Sequence, residues 1–471
     1  MTGPETTAAD YDVVIVGGGP GGYAAALYGA SAGLSIAMVE RDAVGGTCLN
    51  RGCIPAKSLL QTAEVLRTAA HAADFGIMPE GTGAFTPDWA RVAQRTTGIV
   101  NQLVGGLSGL LKRRKVAVVK GHGRLTAAGT VDVDGQELRG RAVILATGSV
   151  PRLIPGFEPD GERIVTSDHS TRSDALPERV AVIGGGVIGS EFASVFTDVG
   201  AQTTLLEALP GGVLPIGPDP EIAGVLARAL GRRGTAIHAG ARVGPPERGD
   251  GGLVVGFETP AGVEKIEVDQ VLVAIGRRPV TEDLGLAEAG VRVSERGFIA
   301  VEPSTMVTSR AGVYAVGDVV DTPGLAHVAY AEAIVAIQAI LGEAPVPVDY
   351  ARVPWVVYTH PEVAWAGFTE AEAKAAGYDI EVHKHRFAGN GRAMIIGDTD
   401  GMVKVVAQRD GPILGVHYVG PWASELLAEG YLAVNWQALP EEVGAFIHPH
   451  PSLSEAVGET MLTFTGRSLH G

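Results

Sequence analysis

The chain has 471 residues, 46% apolar and 19% charged, a globular balance and not a disordered one. Thirty-seven basic residues against 53 acidic ones leave a net charge of −16, which argues against nucleic acid and against an anionic membrane surface as partners. Sixty-six glycines occur without a G-X-Y period, which excludes collagen and points to tight turns, and two cysteines are too few for a disulfide scaffold.

The opening MTGPETTAAD is acidic and lacks the apolar core of a signal peptide, and no apolar run approaches a membrane span. A soluble cytoplasmic protein is therefore expected. The first patterned stretch, YDVVIVGGGPGGYAAALYGASAGLSIAMVE (11–40), reads as strand, glycine turn, Ala-rich helix and second strand ending in Glu. The same unit recurs as RVAVIGGGVIGSEFASVFTDVGAQTTLLE (179–207). A lone G-x-G-x-x-G is weak. Two, each between a strand and a helix and each followed by a strand with a terminal Glu, predict two dinucleotide sites.

In the first unit Gly17 permits the turn, Gly19 lets backbone approach a pyrophosphate, Gly22 lets helix and strand pack, and Glu40 is placed to accept from a ribose. Gly184, Gly186, Gly189 and Glu207 repeat the arrangement. A carboxylate at Glu207 suits a 2′-hydroxyl and repels a 2′-phosphate, and the ALPGG that follows holds no Arg, which favours NAD over NADP.

Between the two units, LLQTAEVLRTAAHAAD and DWARVAQRTTGIVNQLVGGLSGLLKRRK read as helices, with the Lys112–Lys115 cluster as the solvated end of the second. Short strands follow (VAVVKGHGRLT, TVDVDG, RAVILATGS), and 236–275 alternates like a small antiparallel sheet. AVILATGS (142–149) and YAVGDV (314–319) each end a strand in a glycine turn. Asp318 there is suited to a polyol hydroxyl, so the first site is read as a long one, fit for FAD. PVPVDY reads as a linker before a region of strands and amphipathic helices.

Both cysteines lie in GGTCLNRGCIPAKSLL (45–60). A disulfide across so short a loop adds little chain-entropy stabilisation, and two cysteines without nearby His do not make a zinc site, so no metal is expected. Cys53 precedes a helical pattern and Lys57 lies one turn on, which together describe a reactive thiolate. Near the C-terminus, FIHPHPSLSEAVGE (446–459) places Glu455 five residues after His450, a spacing suited to a base and the carboxylate that orients it. His448 reads as structural, and His327, His360, His383 and His385 carry no catalytic signature.

These segments, with VAIGRRP (273–279), LAH (325–327) and YTHPEVAWAG (358–367), closely resemble the FAD-dependent pyridine-nucleotide disulfide oxidoreductases over nearly the whole chain. The resemblance implies an α/β fold with two Rossmann-like dinucleotide-binding domains, for FAD and NAD, plus an α+β C-terminal dimerisation domain. The implied boundaries are 1–155 (FAD and redox disulfide), 156–278 (NAD), 279–348 (return to the flavin site) and 349–471 (dimer interface). Among family members it favours those that oxidise dihydrolipoamide to lipoamide and reduce NAD⁺. Cys48 would then exchange with the dithiol, Cys53 would lie against the flavin as a thiolate, and Lys57, near the flavin, would pair with Glu191. His450 would be the acid/base and Glu455 its orienter, meeting the cysteines across a homodimer. Gly46, Thr47, Thr147, Gly148, Gly317 and Ala326 join the FAD contacts, and Gly276 the NAD contacts.

Two departures stand out: Arg51 inside the redox loop, able to tune the thiolate, touch substrate or face solvent, and Tyr330 after LAHVA, where a charge is common. The chain carries no lipoyl domain, so lipoyl groups would arrive on another protein, a 2-oxo acid dehydrogenase complex being one such source. Mycothione- or glutathione-type reductases, and a mainly scaffolding role in such a complex, remain as alternatives. Glu207 counts against NADPH-dependent members. A tail without cysteines disfavours mercuric reductase, and the complete Cys and His–Glu pairs disfavour a quinone reductase.

Overall fold

The computed structural model describes residues 9–78, 85–127, 129–249 and 251–470; the opening segment, bar its last two residues, lies outside them. The chain divides into two units, each assembled from three stretches of sequence. One comprises Met1–Pro55, Gln94–Arg152 and Arg277–Tyr350; the other comprises Ala56–Ala93, Leu153–Gly276 and Ala351–Gly471.

The first unit is built on five parallel strands in the order Val313–Ala315, Gln136–Leu145, Tyr11–Val16, Ile36–Glu40, Ala117–Lys120. Val13 pairs with both Ala142 and Ile36. Val13, Val14, Ile15, Ala37, Met38, Val143 and Ile144 are all fully buried, the near-continuous apolar reading of strands covered on both faces. Helix Pro20–Ser31 starts with Pro at its first position and buries Gly21, Gly22, Ala25, Ala26 and Gly29. These small residues let it approach the sheet and pack against helix Ala326–Ile340. A two-stranded antiparallel ribbon, Ser149–Pro151 with Arg277–Pro279, stands where the chain leaves this unit and where it returns.

The second unit repeats the plan with the parallel order Ala236–Ala239, Gln202–Glu207, Arg179–Ile183, Gln270–Val273, Ile164–Thr166. Only the middle of the predicted 236–275 antiparallel sheet is antiparallel: Leu253–Thr259 pairs with Gly262–Val268 and with two short neighbours. Its two flanks are strands of the parallel sheet. The apolar run Val271–Val273 is buried there on both faces, where a half-exposed hairpin would alternate. The same unit holds a five-stranded antiparallel sheet: Trp355–Val357, Glu362–Gly367, Ile413–Gly420, Met402–Gln408, Ile380–Arg386. Trp355 and Trp365 stack across it at 5.4 Å. Helix Trp89–Arg113 ends in exposed Lys112 and Arg113, cations at the negative end of its dipole.

Candidate active site

The two glycine turns are near copies in backbone and hydrogen bonding. Gly17 and Gly184 take φ of +107° and +106°. A Cβ on Gly22 would lie 1.8 Å from the Gly17 carbonyl oxygen, and one on Gly189 the same distance from that of Gly184, so only Gly closes either turn. The middle glycines are different. Gly19 and Gly186 have φ of −74° and −69°, open to any residue. A Cβ on Gly186 meets no described atom within 4 Å, and one on Gly19 only the Gly46 Cα at 3.8 Å. Packing does not demand glycine at these two positions, whereas close approach of a pyrophosphate to the helix N-terminus, as in dinucleotide-binding turns, would. Neither helix start is capped by a side chain, so the first-turn N–H groups are available for that anion.

Each terminal Glu is fixed by backbone donors. Glu40 accepts from Gly18 N–H at 2.7 Å and Asp42 N–H at 2.6 Å; Glu207 accepts from Gly185 N–H at 2.6 Å and Leu209 N–H at 2.7 Å. A carboxylate so held keeps further lone pairs for ribose hydroxyls. Glu207 is only 8% exposed. Gly276, with φ of +108° and no described atom within 4 Å of an added Cβ, lies three residues after strand Gln270–Val273, which pairs with the strand that leads into Gly184.

In the first unit more polar groups converge. Asp318 accepts from Ser149 Oγ at 2.6 Å, and Ser149 Oγ in turn accepts from Arg277 Nε at 2.7 Å. Gly317, at φ of +74°, donates its N–H to Glu332 at 2.6 Å, and the Tyr350 hydroxyl donates to the same carboxylate at 3.0 Å. Glu332 is fully buried, and burial pushes its carboxyl above the usual range. Thr147 Oγ1 donates to the Val280 carbonyl at 2.7 Å, and Gly148 accepts from Val280 N–H at 2.9 Å. Ala326 opens the helix Ala326–Ile340. Ser149, Arg277, Glu332 and Tyr350 were not singled out from sequence. The first two were visible as members of ATGS and VAIGRRP, whereas nothing local marks the last two. This glycine cradle, uncapped helix start and second carboxylate fit a long dinucleotide such as FAD.

The cysteine loop is fastened to the first glycine turn. Gly45 N–H donates to the Gly18 carbonyl at 2.8 Å, and a Cβ on Gly46, at φ of +54°, would lie 2.6 Å from the Gly19 Cα. Thr47 and Cys48 lie on the short helix Gly46–Arg51, and Cys53 is the first residue of helix Cys53–Ala70, where the dipole favours a thiolate. Cys48 is half-buried and Cys53 exposed. Arg51 is engaged by Asp42 at 2.6 Å. Tyr330 shares a hydroxyl–hydroxyl hydrogen bond of 2.5 Å with Tyr23. Burial, then this bond and the charges of Cys48 and Cys53, push the Tyr23 phenol well up.

In the second unit Lys57 Nζ donates to both oxygens of Glu191 at 2.8 Å. The buried Glu191 carboxylate also accepts from Tyr358 N–H at 3.0 Å, and Lys57 Nζ sits 4.9 Å from the centre of the Tyr358 ring. Tyr358 thus orients both partners, a role with no signal in sequence beyond its place in YTHPEVAWAG. At the far end His450 Nδ1 lies 2.8 Å from Glu455 Oε1, while Glu455 Oε2 accepts from Ser452 N–H at 2.8 Å. Burial opposes the Glu455 charge, but the Ser452 and His450 hydrogen bonds outweigh it and hold this carboxyl below its usual range. His450 is 80% exposed, so its Nε2 faces outward. His360, by contrast, is pushed down to about 3 by burial and by Arg67 and Arg233, which leaves it neutral. Among the described residues no group of three or more His, Cys, Asp or Glu is arranged to hold a metal, and no helix is long and apolar enough to cross a membrane.

Known proteins share this architecture. The dihydrolipoyl dehydrogenase of Bacillus subtilis is 40% identical over 98% of this chain and 100% of its own length. That of Thermus scotoductus is 42% identical over 98% of both chains. Among solved structures, LpdA of Mycobacterium tuberculosis matches with a TM-score of 0.88 at 27% identity, over 96% of this chain and 99% of that one. The HOCl-induced flavoprotein disulfide reductase RclA of Escherichia coli matches at 0.84 and 27%, with the same coverage. Residues 11–333 match the model of the pyridine nucleotide-disulphide oxidoreductases, and residues 353–461 match that family's dimerisation domain. With both matches and near-full-length relatives, the chain belongs to the pyridine nucleotide-disulphide oxidoreductase family.

Proposed function

We propose that the protein oxidises dihydrolipoamide to lipoamide and reduces NAD⁺ to NADH, with FAD as its resident cofactor. The observation that carries this reading is the fastening of the Cys48–Cys53 loop to the first glycine turn, through Gly45 N–H to the Gly18 carbonyl. That bond supports a thiol pair working beside the proposed dinucleotide site. Relatives at 37–42% identity that carry the dihydrolipoyl dehydrogenase name support the substrate.

In the oxidised enzyme one substrate thiolate attacks the Cys48 sulfur, the Cys48–Cys53 bond breaks, and Cys53 leaves as a thiolate. The second substrate thiol, once deprotonated, displaces Cys48, so lipoamide leaves and the pair is reduced. His450 takes the substrate proton at Nε2, while Glu455 fixes the tautomer through Nδ1 and stabilises the imidazolium. The positive N-terminal end of helix Cys53–Ala70 favours the Cys53 thiolate, and Lys57, ion-paired with Glu191, lies one turn along it. FAD, when bound, supplies the two-electron carrier between thiols and nicotinamide. Gly17, Gly19, Gly22, Glu40, Gly46, Thr47, Thr147, Gly148, Gly317, Asp318 and Ala326 would hold it; Gly184, Gly186, Gly189, Glu207 and Gly276 would hold NAD. NAD⁺ gains two electrons and one proton, and the second proton of the dithiol is released.

The dimerisation domain supports a homodimer, in which the partner's His450 would serve the cysteines of the first subunit. A cytoplasmic location and lipoyl groups delivered on another protein complete the reading. The test is steady-state NAD⁺ reduction with a panel of dithiols, alongside acid release of the flavin. The reading expects about one FAD per chain and turnover with dihydrolipoamide. A folded protein that takes up no FAD, or one that turns over only another dithiol, contradicts it.

A further inference from the structure

The base His450 lies in segment 445–454, an irregular run between the helices Pro440–Gly444 and Glu455–Thr463. Among the described residues, no backbone hydrogen bond ties down 447–451. Two side chains fasten this stretch instead, and both are imidazoles. His450 bonds Glu455, the first residue of the helix. His448 lies on Gly458, three residues further along the same helix: a Cβ added there would come 2.5 Å from the His448 Nδ1 and 2.7 Å from its Cε1. Positions three apart share a helix face, so the two rings dock one turn from each other on one surface. His448 Nε2 also lies 2.8 Å from Glu429 Oε1 on helix Ala423–Asn435. His448 is only 12% exposed where His450 is 80% exposed. Beyond His450, Asn390 Nδ2 holds the Ser452 carbonyl at 2.9 Å.

A second His–Glu pair two residues from the base, seated where only glycine leaves room, is more than packing requires; an apolar ring would fill the same space without a buried polar contact to satisfy. We propose that His448 is a positioning residue for His450: its bond to Glu429 and its seat on Gly458 set the register at which His450 meets Glu455 and turns Nε2 outward. The inference rests on the assignment of His450 as the base for the dithiol. Gly458 is then glycine to admit the His448 ring.

The experiment compares His448→Leu, His448→Gln and Glu429→Leu with the wild type, in the full-length FAD-loaded enzyme. Dihydrolipoamide–NAD⁺ turnover is measured beside NADH oxidation by ferricyanide, which does not need the base. His448→Leu keeps the bulk and loses the donor; its kcat should fall roughly tenfold or more with KM little changed, since small displacements of a reacting group are costly. Glu429→Leu should do the same. His448→Gln keeps an N–H near the Nε2 position and should stay within about threefold of wild type. Ferricyanide rates and melting temperatures should be alike in all four. A His448→Leu enzyme with wild-type kcat, or a parallel loss of ferricyanide activity, would overturn the proposal. If His448→Leu does not fold, Glu429→Leu, altered at the more exposed partner, decides by the same criteria. A wild-type enzyme without dihydrolipoamide turnover removes the functional reading itself and this inference with it.

Discussion

The units Gly17–Glu40 and Gly184–Glu207 share their glycine geometry to within a degree of φ at the first position, and both bind their terminal Glu through the same pair of backbone donors. Their surroundings differ. The first turn is fastened to the cysteine loop, and its unit also holds the hydrogen-bonded chain Arg277–Ser149–Asp318 and the buried Glu332 that accepts from Gly317 N–H. The second is backed by a helix whose inward face carries Phe192, Phe196 and the buried Glu191, whose partner is Lys57. The fingerprint fits a dinucleotide in each; the proposed function assigns FAD to the first and NAD to the second on the side chains outside it.

The sharpest way to break this asymmetry is at the thiols, which only the first unit carries. Cys48→Ser and Cys53→Ser should each abolish dihydrolipoamide turnover while NADH oxidation by ferricyanide persists. Lipoamide activity in either variant, followed by NADH absorbance, would show that the loop is not the redox centre.

Next in size is His450→Gln. A positioned general base is worth roughly 10²–10⁴-fold, so turnover with dihydrolipoamide should fall by that range. The ferricyanide rate, which uses both dinucleotide sites and no base, should not change. Refolding His450→Gln together with Cys53→Ser then tests whether two subunits share a site. A shared site should return about a quarter of the wild-type rate through mixed dimers, whereas sites complete within one chain return none.

The smallest effect concerns Glu207 alone. NAD⁺ should be preferred over NADP⁺ by roughly tenfold or more, because a buried carboxylate facing a 2′-phosphate is unfavourable. Glu207→Arg should narrow that ratio. Equal kcat/KM for the two nucleotides in the wild type would remove the reason for assigning NAD here.

What could be read from sequence was local in the chain. The glycine spacing, the Glu about twenty residues on and the Cys–Lys spacing all fall within one strand–helix–strand or one helix turn, where periodicity and dipole arguments apply. The Lys57–Glu191 bond joins residues 134 apart, and Tyr358, which holds both, lies 167 beyond Glu191. No spacing rule reaches that far, and family resemblance supplied the first pair but not the tyrosine. From sequence His448 reads as structural, as a lone histidine does, since no spacing marks its partner Glu429 or its seat Gly458, which sit on two different helices. The flanks of 236–275 were misassigned for a related reason. A short apolar run fits an antiparallel hairpin or a buried parallel strand equally well until its neighbours are known.

The central claim is that one fold uses two copies of a turn for two cofactors, and Gly19→Val and Gly186→Val test it directly. Both positions have ordinary φ, and an added Cβ meets no described atom within 4 Å at Gly186 and only the Gly46 Cα, at 3.8 Å, at Gly19, so both variants should fold while the side chain obstructs the proposed pyrophosphate. The measurement is flavin content together with anaerobic bleaching by dihydrolipoamide and NADH formation. Gly19→Val should lose FAD and every activity. Gly186→Val should keep FAD and bleach with dihydrolipoamide, yet form no NADH. A Gly186→Val protein that loses its flavin, or a Gly19→Val protein that keeps it, would contradict the assignment.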